Sequence, residues 1–483
     1  MANLFRKKNV ADLLAESAES EHSLKRSLGS MALIALGIGA IIGAGLFVRT
    51  AAAAGMHAGP GVIYSFIIAG IGCAFAGLCY AEFASMIPIA GSAYTYSYAT
   101  MGELVAWIIG WDLVLEYALG AATVAIAWSE YLNKLLQNMF GFEIPYALCH
   151  SPFQTAVDGS HGIMNLPALF ILLLISLVLM RGTKESAVVN NIIVAVKLAI
   201  VLIFIAIGWN YINPANHAVM VPANTGDFGD FGWSGVLSGA GIVFFAFIGF
   251  DAVSTAAQEA KDPQKGMPIG ILVSLAVCTI LYIVFAYVLT GVANYKDFGK
   301  GGAGHEASVA YAITTYMKGY SWLSTAITIA ILAGFSSVIL VLLMGQSRVF
   351  YSMSKDGLLP PVFSQLHPKY KTPAKSNFLL FLFVGVFATF LPGDVVGDMT
   401  SIGTLFAFVL VCIGVMVMRK TSPETPRPFK TPLVPLVPIL GIVVCLAMIA
   451  GLGWENWTRL FIWLAIGFVI YFGYSIKKSK LNK

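Results

Sequence analysis

Long apolar runs dominate this chain and restrict its fold more than any other feature. About twelve such blocks follow one another, and each has roughly the 20 residues that a helix needs to cross about 30 Å of hydrocarbon. The 483 residues are 58% hydrophobic and only 11% charged, whereas soluble domains average about 25% charged residues. So few charges could not cover the surface of a soluble protein of this length. The sequence therefore predicts an all-α integral membrane protein.

The apolar blocks predict twelve transmembrane helices, which would put both termini on the same side of the membrane. We place these spans at residues 31–54, 60–88, 103–134, 165–181, 188–211, 232–258, 268–293, 319–353, 376–392, 401–418, 433–452 and 458–476. The side with the termini carries 22 Lys and Arg residues, against 6 on the other side. Because positive residues stay inside, we predict a multi-pass protein of the cell membrane with both termini cytoplasmic. This asymmetry explains the net charge of +5 without a nucleic-acid partner.

Two segments outside the spans have a recognisable character. Asn9 to Ser23 reads as a short amphipathic helix on the inner face. The stretch 89–102 has no Lys or Arg and carries Tyr94, Tyr96 and Tyr98 among Ser and Thr residues. We expect this second segment to lie at the membrane interface.

Glycines are concentrated in the first and sixth predicted spans. They are Gly37, Gly39, Gly43 and Gly45 in the first, and Gly235, Gly239, Gly241 and Gly249 in the sixth. Glycine weakens a helix by about 1 kcal/mol relative to alanine. One interpretation is close helix packing through small residues. The other is an interrupted helix at corresponding positions of two inverted repeats, which marks a binding site at the membrane midplane. The correspondence of the two spans favours the interrupted helices.

Four motifs, in order along the chain, resemble those of one transporter superfamily. They are the glycine-rich Gly39–Phe47, the aromatic Phe244–Asp251, and the loop sequences Glu259–Ile269 and Gln346–Pro360. From about residue 25 to residue 475 the chain resembles amino acid–polyamine–organocation (APC) transporters. It is most similar to bacterial members of the cationic amino acid transporter branch, and it lacks the two extra C-terminal spans of that branch's animal members.

The resemblance implies the LeuT/APC-type fold, a five-plus-five inverted repeat with broken helices 1 and 6. It divides the chain into a cytoplasmic tail at 1–30, a first repeat at 31–211 and a second repeat at 212–418. Two further spans follow at 419–476, and a short cytoplasmic tail at 477–483 ends the chain. The resemblance also implies transport by alternating access, with the substrate held by its amino acid backbone.

A break in a helix frees the two kinds of group that an amino acid zwitterion needs. Free N–H groups at the start of one half can bind a carboxylate, and free carbonyls at the end of the other half can accept from an ammonium. We expect the N–H groups of Gly43, Ala44 and Gly45 to bind the substrate carboxylate, because no side chain there can crowd it.

The family pattern supplies the other half of the substrate site. It places the acceptors for the substrate ammonium at the carbonyls of Ile41, Phe245, Ala246 and Ile248. An aromatic residue at the second break gates the outer path in this family, and Phe245 is our choice for this lid. The other phenylalanines of that motif are expected to face core or lipid.

Ionisable residues inside predicted spans are functional candidates, because burying them costs at least a few kcal/mol. Lys197 lies halfway through the fifth span, and in the family's proton-coupled members a lysine here replaces a bound sodium ion. We predict that Lys197 couples transport to protons; a structural, permanently charged lysine is the alternative. Asp251 and Glu116 are predicted to share the proton path, to keep Lys197 charged, or to line a water-filled vestibule. Asp112 and Glu82 lie nearer the cytoplasmic end and are expected to be gate or interface groups.

The sequence as a whole predicts a secondary transporter that imports L-amino acids by proton symport. Because the residues around the breaks are largely apolar, small neutral amino acids such as alanine fit best. Transport of arginine or lysine, and exchange of one amino acid for another, stay open, as does a membrane amino acid sensor. No enzyme, cofactor or metal motif is present. The expected partners are the amino acid, protons and membrane lipid; a small membrane subunit stays open.

Overall fold

The protein is built from helices. The computed structural model describes residues 4–8, 28–87, 92–156, 158–182, 187–255, 257, 260–299, 302 and 304–482. Within these ranges extended residues form isolated bridges and no β-strand.

The principal helices are numbered here in chain order. They are α1 Ser30–Ile41, α2 Val62–Met86, α3 Ser92–Thr100, α4 Glu103–Val114, α5 Gly120–Phe140, α6 Leu166–Arg181, α7 Ala187–Gly208, α8 Gly232–Val243, α9 Ala252–Thr255, α10 Pro263–Val292, α11 Ser308–Tyr316, α12 Ser321–Lys355, α13 Ala374–Phe390, α14 Gly393–Thr421, α15 Leu436–Gly451 and α16 Trp454–Ile470. Shorter α-helical turns are Thr50–Ala53, Tyr146–Cys149 and Ile476–Lys478, and π-helical turns are Gly45–Arg49, Ala54–Ala58, Leu115–Leu119 and Tyr471–Ser475.

Many of these helices could cross a membrane. Seven continuous helical stretches of the described chain are long and apolar enough: Gly45–Met86, Glu103–Phe140, Ile192–Tyr211, Pro263–Val292, Trp322–Lys355, Gly393–Thr421 and Trp454–Lys478. Five shorter apolar helices accompany them: Ser30–Ile41, Leu166–Arg181, Gly232–Phe247, Ala374–Phe390 and Leu436–Gly451. This all-helical, apolar architecture agrees with the predicted fold class, while the exact number of spans and the inverted repeat stay predictions.

Small residues let α1 and α2 pack closely against α10. A Cβ added at Gly37 would lie 2.5 Å from the hydroxyl oxygen of Ser274, and one at Gly70 would lie 2.7 Å from a methyl carbon of Thr279. Such close approach of backbones is how apolar helices gain van der Waals contact in lipid. The packing interpretation therefore accounts for part of the glycine content, including Gly37 in the first span.

The segment that follows α2 is largely buried within the protein over residues 93–102, and its place at the membrane interface stays a prediction. It contains the helix α3, whose Tyr94, Tyr96 and Tyr98 are buried. The Tyr94 hydroxyl donates to Asp356 over 2.7 Å, and the Tyr98 hydroxyl donates to Glu103 over 2.9 Å. These acids supply partners for phenol groups, so that α3 can be buried.

The two ends of the described chain meet at one face of the protein. The Arg6 guanidinium donates to the backbone carbonyl of Leu481 over 2.5 Å, and Lys8 pairs with Asp356 after α12. Both ends of the described chain therefore lie on the same side of the helix bundle, which agrees with the prediction of an even number of spans. The predicted amphipathic helix at Asn9 to Ser23 lies almost wholly outside the described residues.

An ion pair joins two loops at the opposite face, which is the predicted extracellular side. His150 Nε2 lies 2.7 Å from Glu306 Oε1, just before α11. Burial opposes the charge of His150, but its hydrogen bonds to Cys149 and Glu306 and the charge of Glu306 raise its pKa to about 10. Burial likewise disfavours ionised Glu306, yet His150 lowers the pKa of Glu306 overall.

We expect this pair to stabilise the outer loops in a pH-dependent way. Because folding raises the pKa of His150 above its ordinary value of about 6.5, the stabilisation is complete below that pH and is lost as pH rises towards 10. At the acid end it persists until Glu306 is protonated, below the ordinary glutamate pKa. Thermal unfolding of the parent and His150→Gln should therefore differ most near pH 6 and little near pH 10. His161→Gln, in the same loop, is the control; a difference that does not change with pH would contradict the pair's role.

Candidate functional site

The first break interrupts the helix that starts with α1. This helix ends at Ile41, Ile42 has an extended conformation (φ −73°, ψ 106°), and helical structure resumes as the π turn Gly45–Arg49. Because helical structure resumes only at Gly45, the N–H groups at the start of the second segment have no preceding helical turn to accept from them; that of Leu46 donates to the carbonyl of Gly43 over 3.2 Å. The break therefore lies at Ile42–Ala44, within the glycine-rich motif.

The second break interrupts the helix that starts with α8. After Val243 the chain forms a 3₁₀ turn at Phe244–Phe247 and then turns extended at Ile248 (ψ 135°). Gly249 has φ +108°, which L-residues with a side chain rarely adopt. The chain becomes helical again at α9. Both glycine-rich spans are thus interrupted at the positions that the sequence indicates.

The two breaks touch each other. A Cβ added at Gly45 would lie closer than 3.0 Å to backbone atoms of Ala246, and one at Gly249 would lie 2.9 Å from the carbonyl oxygen of Ala40. Each break thus presents a glycine to the backbone of the other, and only residues without a side chain permit this approach. The predicted substrate residues of both spans are therefore brought together.

Tyr282 of α10 contacts both breaks at once. In the sequence it is a lone tyrosine in an apolar helix, which does not indicate this role. Its hydroxyl lies 3.0 Å from the carbonyl oxygen of Ile41 and 2.9 Å from that of Ala246. These are two of the four predicted ammonium acceptors. Each carbonyl has a second lone pair, so the Tyr282 contact leaves acceptor capacity at both.

The surroundings of Phe245, another predicted acceptor, differ from those of the other phenylalanines in its motif. The Phe245 carbonyl accepts from the N–H of Ile248 over 3.3 Å. The side chains of Phe244, Phe247 and Phe250 are fully buried and contact other aromatic rings. Phe245 is 6% exposed and has no ring contact among the described residues. Its side chain is the one member of this group that other aromatic side chains do not hold in place.

Lys197 of α7 reaches the end of the first half-helix. Its ammonium donates to the carbonyl oxygen of Gly39 over 2.8 Å, a group that would otherwise accept from the N–H of Gly43 if the helix continued. A Cβ added at Gly334 of α12 would lie 3.0 Å from the Lys197 side chain. Lys197 therefore lies between α1 and α12 and ties the unwound backbone to its neighbour. No described carboxylate forms an ion pair with it.

Glu116 and Asp251 lie next to each other on the far side of the second break. Glu116 is in the π turn Leu115–Leu119 of the third predicted span, and such turns are frequent at functional sites. The hydroxyl of the following residue, Tyr117, donates to Asp251 over 2.5 Å. Both acids are fully buried, and electrostatic interaction couples the two carboxyl groups. Within the described chain no three acidic, histidine or cysteine side chains are placed to hold a metal.

A cavity connects the first break with the predicted extracellular side. Its lining includes Ala44, Arg49, Glu130 and Asp394, and the Arg49 guanidinium pairs with Asp398 of α14. The arginine is almost completely buried. This ion pair between the first predicted span and α14 was not expected from the sequence.

Glu82, at the end of α2 on the opposite face, is held by two arginines. It accepts from Arg419 over 2.9 and 2.8 Å and lies 3.3 Å from Arg427. It also accepts from the backbone N–H of Thr431 over 2.8 Å. This buried acid thus fastens the loop after α14 to α2 and takes no part in the arrangement around the breaks.

Comparison with known proteins assigns a family to this arrangement. The family model described as amino acid permease matches residues 28–474. The chain belongs to the amino acid permease family. It is a membrane transporter of the APC superfamily and not an enzyme, and the resemblance seen in the motifs is confirmed.

Individual relatives of the permease differ in their substrates. It is 46% identical to the branched-chain amino acid permease BcaP of Bacillus subtilis, over 100% of this chain and 99% of the relative. It is 43% identical to the methylthioribose transporter of the same organism, over the full length of both. The human cationic amino acid transporter 4 is 34% identical, over 89% of this chain and 65% of the relative.

The contact between the breaks leads to a test. Gly45→Ala would place a methyl group against the Ala246 backbone, so the two breaks would have to move apart. The backbone N–H groups of one break and the carbonyls of the other would then no longer lie close enough to bind one substrate molecule. We expect substrate affinity in the purified permease to fall at least about tenfold, the equivalent of about 1.4 kcal/mol. Gly473→Ala is the matched control, because nothing lies within 4 Å of its added Cβ. Equal affinity of both variants would show that the breaks do not form the substrate site.

Proposed function

We propose that this permease imports neutral amino acids by proton symport, with alternating access to one central site. The observation that carries the proposal is the meeting of two broken helices at Gly45 and Ala246. A zwitterion needs donors and acceptors a few ångströms apart, and the backbone of the two breaks offers both. Backbone N–H groups and carbonyls suit a substrate whose own charges cancel.

The substrate backbone is proposed to lie between the breaks. The N–H groups of Gly43, Ala44 and Gly45 bind its carboxylate. Its ammonium donates to carbonyls of the two breaks: Ile41, Phe245, Ala246 and Ile248. The Tyr282 hydroxyl holds two of these carbonyls, those of Ile41 and Ala246, within hydrogen-bond distance of one oxygen atom. Phe245 closes over the bound molecule from the outer side, since no neighbouring ring restrains it.

Lys197 is proposed to couple the proton to the movement of the first helix. In its charged form the ammonium holds the carbonyl of Gly39 and braces α1 against α12. A neutral amine is a much weaker donor, so loss of the proton releases the unwound segment. Glu116 and Asp251 adjoin the second break, where a proton can be taken up or passed on. Lys197 and this pair thus act on different breaks.

Three observations favour neutral over cationic substrates. Phe47, directly after the first break, packs against Phe285 and Phe335, so the neighbourhood is aromatic and apolar. Of the nearby acids, Asp251 is already bonded to Tyr117. A relative with almost half of its residues identical is named a branched-chain amino acid permease. Alanine and the branched-chain amino acids are therefore the first substrates to test, with arginine, lysine and methylthioribose as competitors.

The decisive experiment is transport by the purified protein in liposomes. Labelled alanine or leucine uptake is followed under an imposed inward proton gradient, without sodium. Concentrative uptake in the parent would support symport. Uptake that ignores the gradient and needs internal amino acid would make the protein an exchanger. Binding of amino acid without any accumulation would instead identify a sensor.

Variants of Lys197 separate proton coupling from structural bracing. Lys197→Ala removes both functions, and we expect it to abolish gradient-driven uptake. Lys197→Arg keeps the charge but does not release its proton in proteins, so it should retain substrate binding and lose the response to the proton gradient. Lys318→Ala, at an exposed position in another segment, is the control. Gradient-driven uptake by Lys197→Arg at the parent's rate would rule out Lys197 as the coupling group.

A further inference from the structure

The buried carboxyl group of Asp112 has no assigned role in the site around the two breaks. It lies in α4, is fully buried, and neither of its oxygens has a hydrogen-bond partner among the described residues. A Cβ added at Gly403 of α14 would lie 3.3 Å from Asp112 Oδ1. The carboxyl group is therefore enclosed between the third and tenth predicted spans.

A permanently ionised carboxylate is not tenable at such a place. Burying an unpaired charge costs several kcal/mol even after relaxation of the surroundings, and acids inside membrane spans are functional candidates for that reason. No lysine, arginine or histidine of the described chain bonds to Asp112. Asp112 is therefore either always neutral or ionised only briefly, during part of a cycle.

The position of Asp112 relates it directly to the predicted proton path. Glu116 follows four residues later, so the two carboxyl groups lie on the same face of the helix, about 6 Å apart along its axis. Glu116 in turn adjoins Asp251. Three acids thus form a row: Asp251 at the second break, then Glu116, then Asp112 towards the side with the chain termini.

The other titratable groups around this row are phenols and paired acids. Tyr80 of α2 faces Glu116 and Asp251, and Tyr117 donates to Asp251. Towards the terminal side, Tyr94 of α3 lies against the turn that contains Gly110 and donates to Asp356. Beyond it, Glu103 accepts from Tyr98, Tyr471 and Ser479. None of these groups supplies a positive charge that would hold Asp112 ionised.

We propose that Asp112 carries the transported proton from Glu116 to the cytoplasmic side. When that side opens, the Asp112 carboxyl gives its proton to water and becomes a carboxylate. It then takes the proton of Glu116, directly or through a bridging water: the O–H bond of Glu116 breaks, one forms on Asp112, and the negative charge moves to Glu116. Glu116 is reprotonated from the Asp251 side. This inference rests on the proton symport proposed above.

The rival interpretation is a carboxyl group that stays neutral and only fills space. Asparagine distinguishes the two, because it has nearly the same shape as a neutral aspartic acid and cannot carry a proton. Asp112→Asn is compared with the parent in liposomes in two assays, gradient-driven net uptake of labelled alanine or leucine and exchange against internal amino acid. Asp158→Asn, an exposed residue of an outer loop, is the matched control.

We expect Asp112→Asn to lower gradient-driven uptake by at least about tenfold, the scale of losing a proton-transfer group, and to keep exchange within about twofold. Unchanged gradient-driven uptake would overturn the proposal and leave symport intact. Equal loss of both activities in a variant that still binds amino acid would also overturn it. A parent without gradient-driven uptake would instead contradict the proposed function, and this inference with it.

A measurement on the parent keeps the test independent of how the variant folds. Dicyclohexylcarbodiimide adds to protonated carboxyl groups in apolar surroundings, and peptide mass spectrometry locates the adduct. We expect labelling of Asp112 to fall as pH is raised on the cytoplasmic side of sealed vesicles. Labelling of Asp112 that does not respond to pH, or is absent while Glu116 is labelled, would contradict a role as proton carrier.

Discussion

Interrupted backbone inside a membrane is the constraint on which the rest of this structure depends. Hydrocarbon supplies no hydrogen bonds, so irregular backbone persists only where protein groups or a polar cavity satisfy it. Here each break lies against the other, with Gly45 at Ala246 and Gly249 at the carbonyl of Ala40. Tyr282 then bonds to one carbonyl from each break. The breaks are therefore one structural unit, and a conformational change at either break must alter the packing of the other.

This unit would allow the proposed proton chemistry to influence substrate binding over short distances. Lys197 bonds to a carbonyl that the first break has freed, and Asp251 belongs to the second break itself. A change of charge at either group alters a bond of the unwound backbone, without any long chain of intermediates. The coupling free energy then comes from a few hydrogen bonds, each of which contributes about 1 kcal/mol, or 1.5–3 kcal/mol when one partner is charged.

The sequence predicts some parts of the site well and others not at all. Glycine content located both breaks, because a helix loses stability wherever several glycines concentrate. Lys197, Glu116 and Asp251 were identified as candidates because each is an ionisable residue in an apolar run. The free-energy cost of burying such a residue depends on its own charge, so it can be recognised without knowing its neighbours in space. Which of these residues lie close together depends on which helices pack against each other, and the hydrophobic periodicity of the sequence does not indicate that.

The same limit applies to the residues that the sequence did not reveal. Tyr282 and the Arg49–Asp398 pair depend on partners that are distant in sequence: Ile41 lies 241 positions from Tyr282, and Arg49 and Asp398 are 349 positions apart. The segment with Tyr94 and Tyr98 looked interfacial because it is polar and short of charge. It is buried because Asp356 and Glu103, from other parts of the chain, accept from its phenols. Polarity alone cannot distinguish a segment in contact with water from one whose partners are protein groups.

The contrast between Glu82 and the row of acids behind the second break follows from the same reasoning. Glu82 has two arginines and a backbone N–H around it, so its charge is satisfied and it serves as a fixed anchor. Glu116 and Asp112 are buried as deeply, but no cation of the described chain pairs with them, and Lys197 bonds to a carbonyl instead of to either acid. An ion pair between Lys197 and Glu116 would hold both groups in one charge state throughout the cycle. Their separation leaves each able to gain or lose a proton, which is the property that a proton-coupled transporter requires.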